Sequence, residues 1–141
     1  MRGLADALID FKEGFPSFAP LQVGFDATVF ESVGEGNALY MRTSDGQVGN
    51  ATAADGTSEA ATVVGFANAA ATANQTTKVI VTGLKTLSSL NAGDLFYLSA
   101  TTPGAITITP PSSAGQAVTR VGEASTATDL AIHIEPPILL R

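Results

Sequence analysis

The segment Gly36-Asn37-Ala38-Leu39-Tyr40-Met41 recurs as Gly93-Asp94-Leu95-Phe96-Tyr97-Leu98, and Val64-Gly65-Phe66-Ala67 recurs as Val121-Gly122-Glu123-Ala124. Both recurrences are offset by 57 residues, so the spacing inside each copy is also kept. Two blocks sharing one offset predict a repeated strand-turn-strand unit. A chain built this way is expected to form a β scaffold rather than a fold organised around one special site.

From Gln22 onward, short runs of β-branched and aromatic residues alternate with clusters of Gly, Asn, Asp and Pro, the pattern of strands and turns. Strands are expected at Thr28 to Glu31, Ala38 to Thr43, Ala61 to Ala67, Lys78 to Thr82, Leu95 to Ser99, Ile106 to Pro110, Ala117 to Ser125 and Leu130 to Ile134. Thr107, Thr109 and Thr119 interleave with Ile106, Ile108, Val118 and Val121, the period-two alternation of strands with one buried face. Ser44-Asp45-Gly46-Gln47-Val48 aligns with Thr101 to Ile106 after one inserted residue, and both read as turns that need glycine where the backbone reverses. Asn50 to Ala60 and Pro110 to Gly115 are polar loops at matching places in the two copies. Asn68 to Asn74 is an excursion that the second copy lacks, and Leu84 to Asn91 is the expected connection between copies.

Ahead of this β region, Leu4, Ala7, Leu8 and Phe11 fall at i, i+3, i+4 and i+7, one face of a short helix ended by Gly14 and Pro16. Residues 1-21 thus read as an N-terminal arm with a short helix, and 22-141 as a β domain. Within that domain the repeats run over 36-83 and 93-137, with an apolar tail at 138-141. The fold class is mainly β, a small barrel or sandwich of two related units.

At 141 residues the chain can bury roughly two thirds of the surface its unfolded form exposes, enough for a core without staples. It has no cysteine, which removes disulfides, thiolate metal sites and cysteine nucleophiles. The formal charge of −6 and seven scattered basic residues argue against nucleic acid, whose phosphates are held by clustered Lys and Arg. Asp6, Asp10, Lys12 and Glu13 interrupt the first apolar stretch well short of a signal peptide core or a membrane span. The expectation is a soluble, unsecreted protein whose surface is rich in uncharged Ala, Thr, Ser and Gly.

The residues capable of chemistry are sparse. His133 is the one histidine, with Asp129 and Glu135 its nearest carboxylates. It sits between Ile132 and Ile134, so it should point away from the core, where Glu135 shares its face as a solvated pair. No G-x-S-x-G elbow precedes it, and a second histidine for zinc is absent. The glycines fit neither nucleotide-binding pattern, and Asp45, Asp55, Asp94 and Asp129 lack calcium-loop spacing. These patterns read as no enzyme, no cofactor and no metal. Function is then expected from surfaces, at the apolar termini together with the Ala/Thr-rich loops: Leu4, Leu8, Phe11, Phe15 and Phe18 in the arm, and Ile138, Leu139 and Leu140 in the tail, which reads equally as a last strand tucked into its own barrel or as a contact on a neighbouring subunit.

The run from Tyr97 through Ala105-Ile106-Thr107, then Pro110-Pro111, Gly115-Gln116-Ala117-Val118, Val121-Gly122-Glu123-Ala124 and the ending Ile132-His133-Ile134-Glu135-Pro136-Pro137, resembles β domains in structural proteins of tailed bacteriophages. Head decoration, or cement, proteins of the small β-barrel kind are the nearest likeness, cyanophage ones especially, with some fibre proteins. The resemblance implies a protein made in the host cytoplasm and placed on the outer face of the capsid, bridging subunits of the major capsid protein. A tail, fibre or baseplate-associated module is the alternative role. Self-association accompanies either, with a trimer favoured and a dimer as the other option.

Overall fold

A computed structural model describes residues 22–141. The expected helix and the arm residues Leu4, Leu8, Phe11, Phe15 and Phe18 lie outside the described residues.

The strands are β1 (Gln22–Thr28), β2 (Ala38–Met41), β3 (Val48–Asn50), β4 (Gly65–Ala67), β5 (Thr76–Thr86), β6 (Leu95–Leu98), β7 (Ile106–Thr107), β8 (Ala117–Val118), β9 (Arg120–Ala124), β10 (Asp129–Ile132) and β11 (Ile138–Leu139). Nine of them form one curled antiparallel sheet in the order β3-β2-β4-β5-β10-β9-β6-β7, with β1 paired to β5, and β11 pairs with β8 apart from it. The protein is mainly β, as expected.

The repeat seen in sequence is a repeat of pairing register. In the first unit Ala38 stands opposite Phe66 and Leu39 opposite Gly65. In the second, Leu95 stands opposite Glu123 and Phe96 opposite Gly122, each 57 residues on. Tyr40 faces Gly49 and Met41 faces Val48, while Tyr97 faces Thr107 and Leu98 faces Ile106, the same pairs after one inserted residue. Each unit enters its first repeated strand through a glycine with positive φ, Gly36 at 81° and Gly93 at 91°. Gly36 N–H then donates to Ala67 O, and Gly93 N–H to Ala124 O, both at 2.8 Å. Side chains larger than glycine rarely adopt this backbone, so the turn is written twice into the sequence.

The units join through β5, and here the expected connection is corrected. Residues 84–86 are strand, and they hold the place in the second unit that β1 holds in the first: Phe25 and Asp26 face Val79 and Lys78, while Lys85 and Thr86 face Leu130 and Asp129. One continuous strand therefore ends the first unit and begins the second. A strand from Thr28 to Glu31 is displaced to Gln22–Thr28, because pairing along β5 extends toward the N-terminus. The reading of Ala61 to Ala67 shortens to β4, preceded by a 3-10 turn over Glu59–Ala61 that Ser58 caps at 3.1 Å. Ile106 to Pro110 shortens to two residues, and Ala117 to Ser125 breaks at Thr119 into β8 and β9. The β6–β9 register shifts between Phe96 and Tyr97, and at this irregularity the Thr119 carbonyl still accepts from Leu98 N–H at 2.9 Å while its buried hydroxyl donates to Ala61 O at 2.8 Å.

Two cores follow from this arrangement. Leu39, Ala67 and Val79 join Ala27, Val29, Val33, Val48 and Ala71 inside the first unit. Their neighbours in sequence, Ala38 and Phe66, point the other way into a core shared with Phe96, Leu98, Val121 and Leu130 of the second unit. The first unit's sheet is thus buried on both faces, the second unit's on one. Asn50 to Ala60, expected as a polar loop, threads between them: Ala51 and Ala53 are buried, Gly104 N–H donates to Ala51 O at 2.7 Å, and Ala117 N–H donates to Ala53 O at 3.0 Å. Small side chains let backbone approach backbone here, so a loop serves as core.

Candidate interaction surfaces

The chemistry-bearing residues sort mostly into structural tasks. Asp45 accepts from Arg42 Nε at 3.2 Å and from Gln47 N–H at 3.0 Å, closing the β2–β3 turn. The Arg42 hydrogen bond and that N–H hold its carboxyl below the usual range. Asp55 accepts from the Thr57 hydroxyl and N–H at 2.7 and 2.9 Å, which lowers its carboxyl likewise. Burial pushes the Tyr40 hydroxyl up, with the charges of Glu31 and Glu59 adding to the shift, so the phenol stays neutral against the Phe30 ring at 5.8 Å. Lys85 is buried on β5 with its ammonium 3.6 Å from Glu35.

His133 follows β10 and is 71% exposed in its side chain, pointing outward as expected. Its Nε2 lies 3.6 Å from Glu135 Oε1, and Arg120 Nη1 approaches the same oxygen at 3.5 Å. The backbone brings the three together, since His133 N–H donates to Val121 O and Glu135 N–H to Arg120 O, each at 3.0 Å. Exposed ion pairs at these distances contribute little, about 0–1 kcal/mol. Among the described residues, no three metal-capable side chains converge.

The apolar tail pairs with its own domain, one of the two readings the sequence left open. Ile138 and Leu139 pair with Val118 and Ala117, and Leu140 exchanges backbone hydrogen bonds with Gln116 O and Gly115 N–H at 2.8 Å each. Leu139 packs on Gly56, while Ile138 turns outward and is 62% exposed. Gly56 N–H also donates to Gly115 O at 2.8 Å, so the two loops at matching places in the repeat touch each other.

A surface that the sequence reading missed lies at the end of the sheet. In the first unit the chain leaves β1 and closes on β3: Val29 bridges Val48 in parallel, and Phe30 N–H donates to Val48 O at 3.0 Å. In the second unit the chain that leaves β5 makes no such bond to β7 among the described residues. Leu87 N–H donates to Thr128 O and Leu90 N–H to Ala127 O, with Ser89 at a φ of 63°. The second unit consequently stays open, with β7 at the end of the strand order and unpaired on its outer side among the described residues. A groove of about 300 Å³ runs beside it, walled by Leu87, Leu90, Phe96 and Ile106.

Ile108, expected on the buried face with Ile106, is instead 55% exposed. The strand ends at Thr107 and the chain bends at Ile108 and Thr109, which takes Ile108 out of the alternation that buries Ile106. Between Asp94 and Arg120 the chain carries no Asp, Glu, Lys, Arg or His, so β6, β7, β8 and their loops bring no charge of their own, while Arg120 and Glu123 of β9 stand beside β6 and Glu35 lines the groove beside β7. That run of neutral residues around Ile106-Thr107-Ile108-Thr109 is the signal that could have found the edge. No protein-family profile matches this chain, and no curated protein matches it significantly.

Proposed function

We propose that this protein is a structural component of a bacteriophage virion, a decoration protein that binds the outer face of the head and staples major capsid protein subunits. The observation that carries this reading is the stretch from Leu95 to Thr119, which contains no charged residue, on a β scaffold in which Asp45 and Asp55 close turns. A cement protein needs broad, shape-matched contact and little chemistry, and many copies multiply a modest contact energy. The residues ahead of Gln22 add a second grip, since Leu4, Leu8, Phe11, Phe15 and Phe18 are too apolar to favour water. At about 25 cal/mol per Å² of apolar area, an arm covering a few hundred Å² contributes several kcal/mol before ordering costs. The resemblance of the second unit to phage head decoration proteins points the same way.

Mixing the purified protein with expanded heads of its own phage tests the reading. Stoichiometric binding, with heads that then resist heat or chelators better, is the expected result. Heads that remain bare would end it, and a low copy number in virions by gel densitometry would move the protein to the tail, fibre or baseplate. Deleting Met1 to Phe18 is expected to leave a folded domain that binds heads weakly; an unfolded product would assign those residues to the core instead.

A further inference from the structure

Gly83 is the point on β5 where both sides are taken, with Gln22 opposite it on one side and Ile132 on the other. Beyond it, among the described residues, Leu84 to Thr86 are paired on the β10 side alone. On the other side Gln22 Nε2 donates to Leu84 O at 2.9 Å, a side chain reaching past the end of the ladder. Because β1 is antiparallel to β5, its direction leads the chain before Gln22 along Leu84, Lys85 and Thr86. Thr86 opens onto a groove of about 340 Å³ walled by Glu35, Leu87 and Ser88. The same three residues line the groove of about 300 Å³ that reaches Leu90, Phe96 and Ile106, so the two adjoin as one trough from β5 to β7.

We propose that the segment from Gly14 to Leu21, which lies outside the described residues, docks in this trough on its own domain, with Phe15 and Phe18 against the apolar wall of Leu87, Leu90, Phe96 and Ile106. The segment carries no charge between Glu13 and Gln22. Glu35 stands on the rim with Lys85 3.6 Å away, and an uncharged occupant sets no like charge against it. Length permits the path: at about 3.3 Å per residue the segment spans about 26 Å, against about 10 Å from Gly83 to Thr86. Pro16 and Pro20 fix φ in advance and lack an N–H, so side chains in the groove, rather than a full ladder, supply the attraction at a lower ordering cost. Attachment at Gln22 makes the event intramolecular, which favours the chain's own groove over that of a second copy. The first unit covers β3 with Val29 and Phe30, the residues that follow β1; the second would be covered by the residues that precede it. Docking of this kind would occur whether or not the protein binds a phage head.

The experiment is paramagnetic broadening in NMR spectra of the full chain. Because the chain has no cysteine, Ser88→Cys adds a single thiol on the groove wall for a nitroxide label, and Ser44→Cys adds one in the β2–β3 turn. The Ser88 label should broaden the amides of Phe15, Ser17 and Phe18 well beyond the Ser44 label, and a label at exposed Thr86 should repeat the pattern from the other end of the trough. Mixing isotope-labelled unmodified chain with spin-labelled chain that carries no isotope should broaden none of these amides, because each segment sits on its own domain. The double variant Phe15→Ser, Phe18→Ser should abolish the broadening and lower the melting temperature by about 4 °C or more. Leu4→Ser with Leu8→Ser should leave both unchanged. Amides of the segment that sense the Ser88 and Thr86 labels no more than the Ser44 label overturn the proposal. Equal broadening in the mixed sample, which would put the segment on a second copy, overturns it too, as does broadening that survives the double phenylalanine variant.

Discussion

Phe66 and Glu123 occupy the same place in the two units, the first opposite Ala38 and the second opposite Leu95 in matching register, yet Phe66 is fully buried and Glu123 is exposed. The difference lies in what covers each unit. The face that Phe66 occupies in the first unit packs on the second, while the corresponding face of the second unit meets water. Phe66→Ala should therefore cost about 3–5 kcal/mol through lost burial and the cavity left behind. Glu123→Ala should stay within about 0.5 kcal/mol. Urea denaturation of both variants checks the contrast, and similar losses for the two would contradict a one-sided second unit.

Two glycines separate crowding from backbone strain. A Cβ at Gly65 would lie 2.5 Å from Val79 Cγ1 and 2.6 Å from Ile80 O, so Gly65→Ala forces β4 off β5 and should cost more than about 2 kcal/mol. Gly93 has open space around its missing Cβ and only its φ of 91° to satisfy. Gly93→Ala should cost about 1 kcal/mol, and Gly93→Asn less, because asparagine tolerates left-handed backbone. Melting temperatures of the three variants, with Gly65→Asn as the case that asparagine does not relieve, provide the measurement.

Thr119→Val keeps the shape of a buried side chain and deletes its hydrogen bond to Ala61 O. The carbonyl left behind is enclosed with the 3-10 turn over Glu59–Ala61, so the expected loss is about 1–3 kcal/mol. Hydrogen exchange should report it locally, with amides around Ala61 and Thr62 losing protection before those of β5. Uniform loss across the sheet would mean that this bond does not anchor the turn.

Acid should weaken the fold in one direction only. Asp45 and Asp55 both have carboxyls held low in the folded state, by Arg42 and Gln47 N–H in one case and by Thr57 in the other. A depressed folded pKa means stabilisation that is complete above the unfolded value near about 3.9 and is lost as pH falls through the folded value. Unfolding free energy should consequently drop below about pH 4, and the double variant Asp45→Asn, Asp55→Asn should show a shallower drop. NMR titration of the two carboxyls checks the direction directly; midpoints above the ordinary aspartate value would reverse it.

The β class and the duplication are legible in the residues alone, because Gly36 and Gly93 are demanded by local backbone geometry and the 57-residue offset carries the register of β2–β4 and β6–β9. So is the outward placement of His133, since alternation with Ile132 and Ile134 is a local property of a strand. Long-range pairing, by contrast, assigns residues 84–86 to the second unit, makes Ala51 and Ala53 interior, and closes β3 with Val29 while β7 ends the strand order. Those outcomes depend on partners distant along the chain. Val29 finds Val48 because β1 lies alongside β5, and the turn at Leu87–Leu90 denies β7 the same cover through bonds to Ala127 and Thr128 that no local pattern announces.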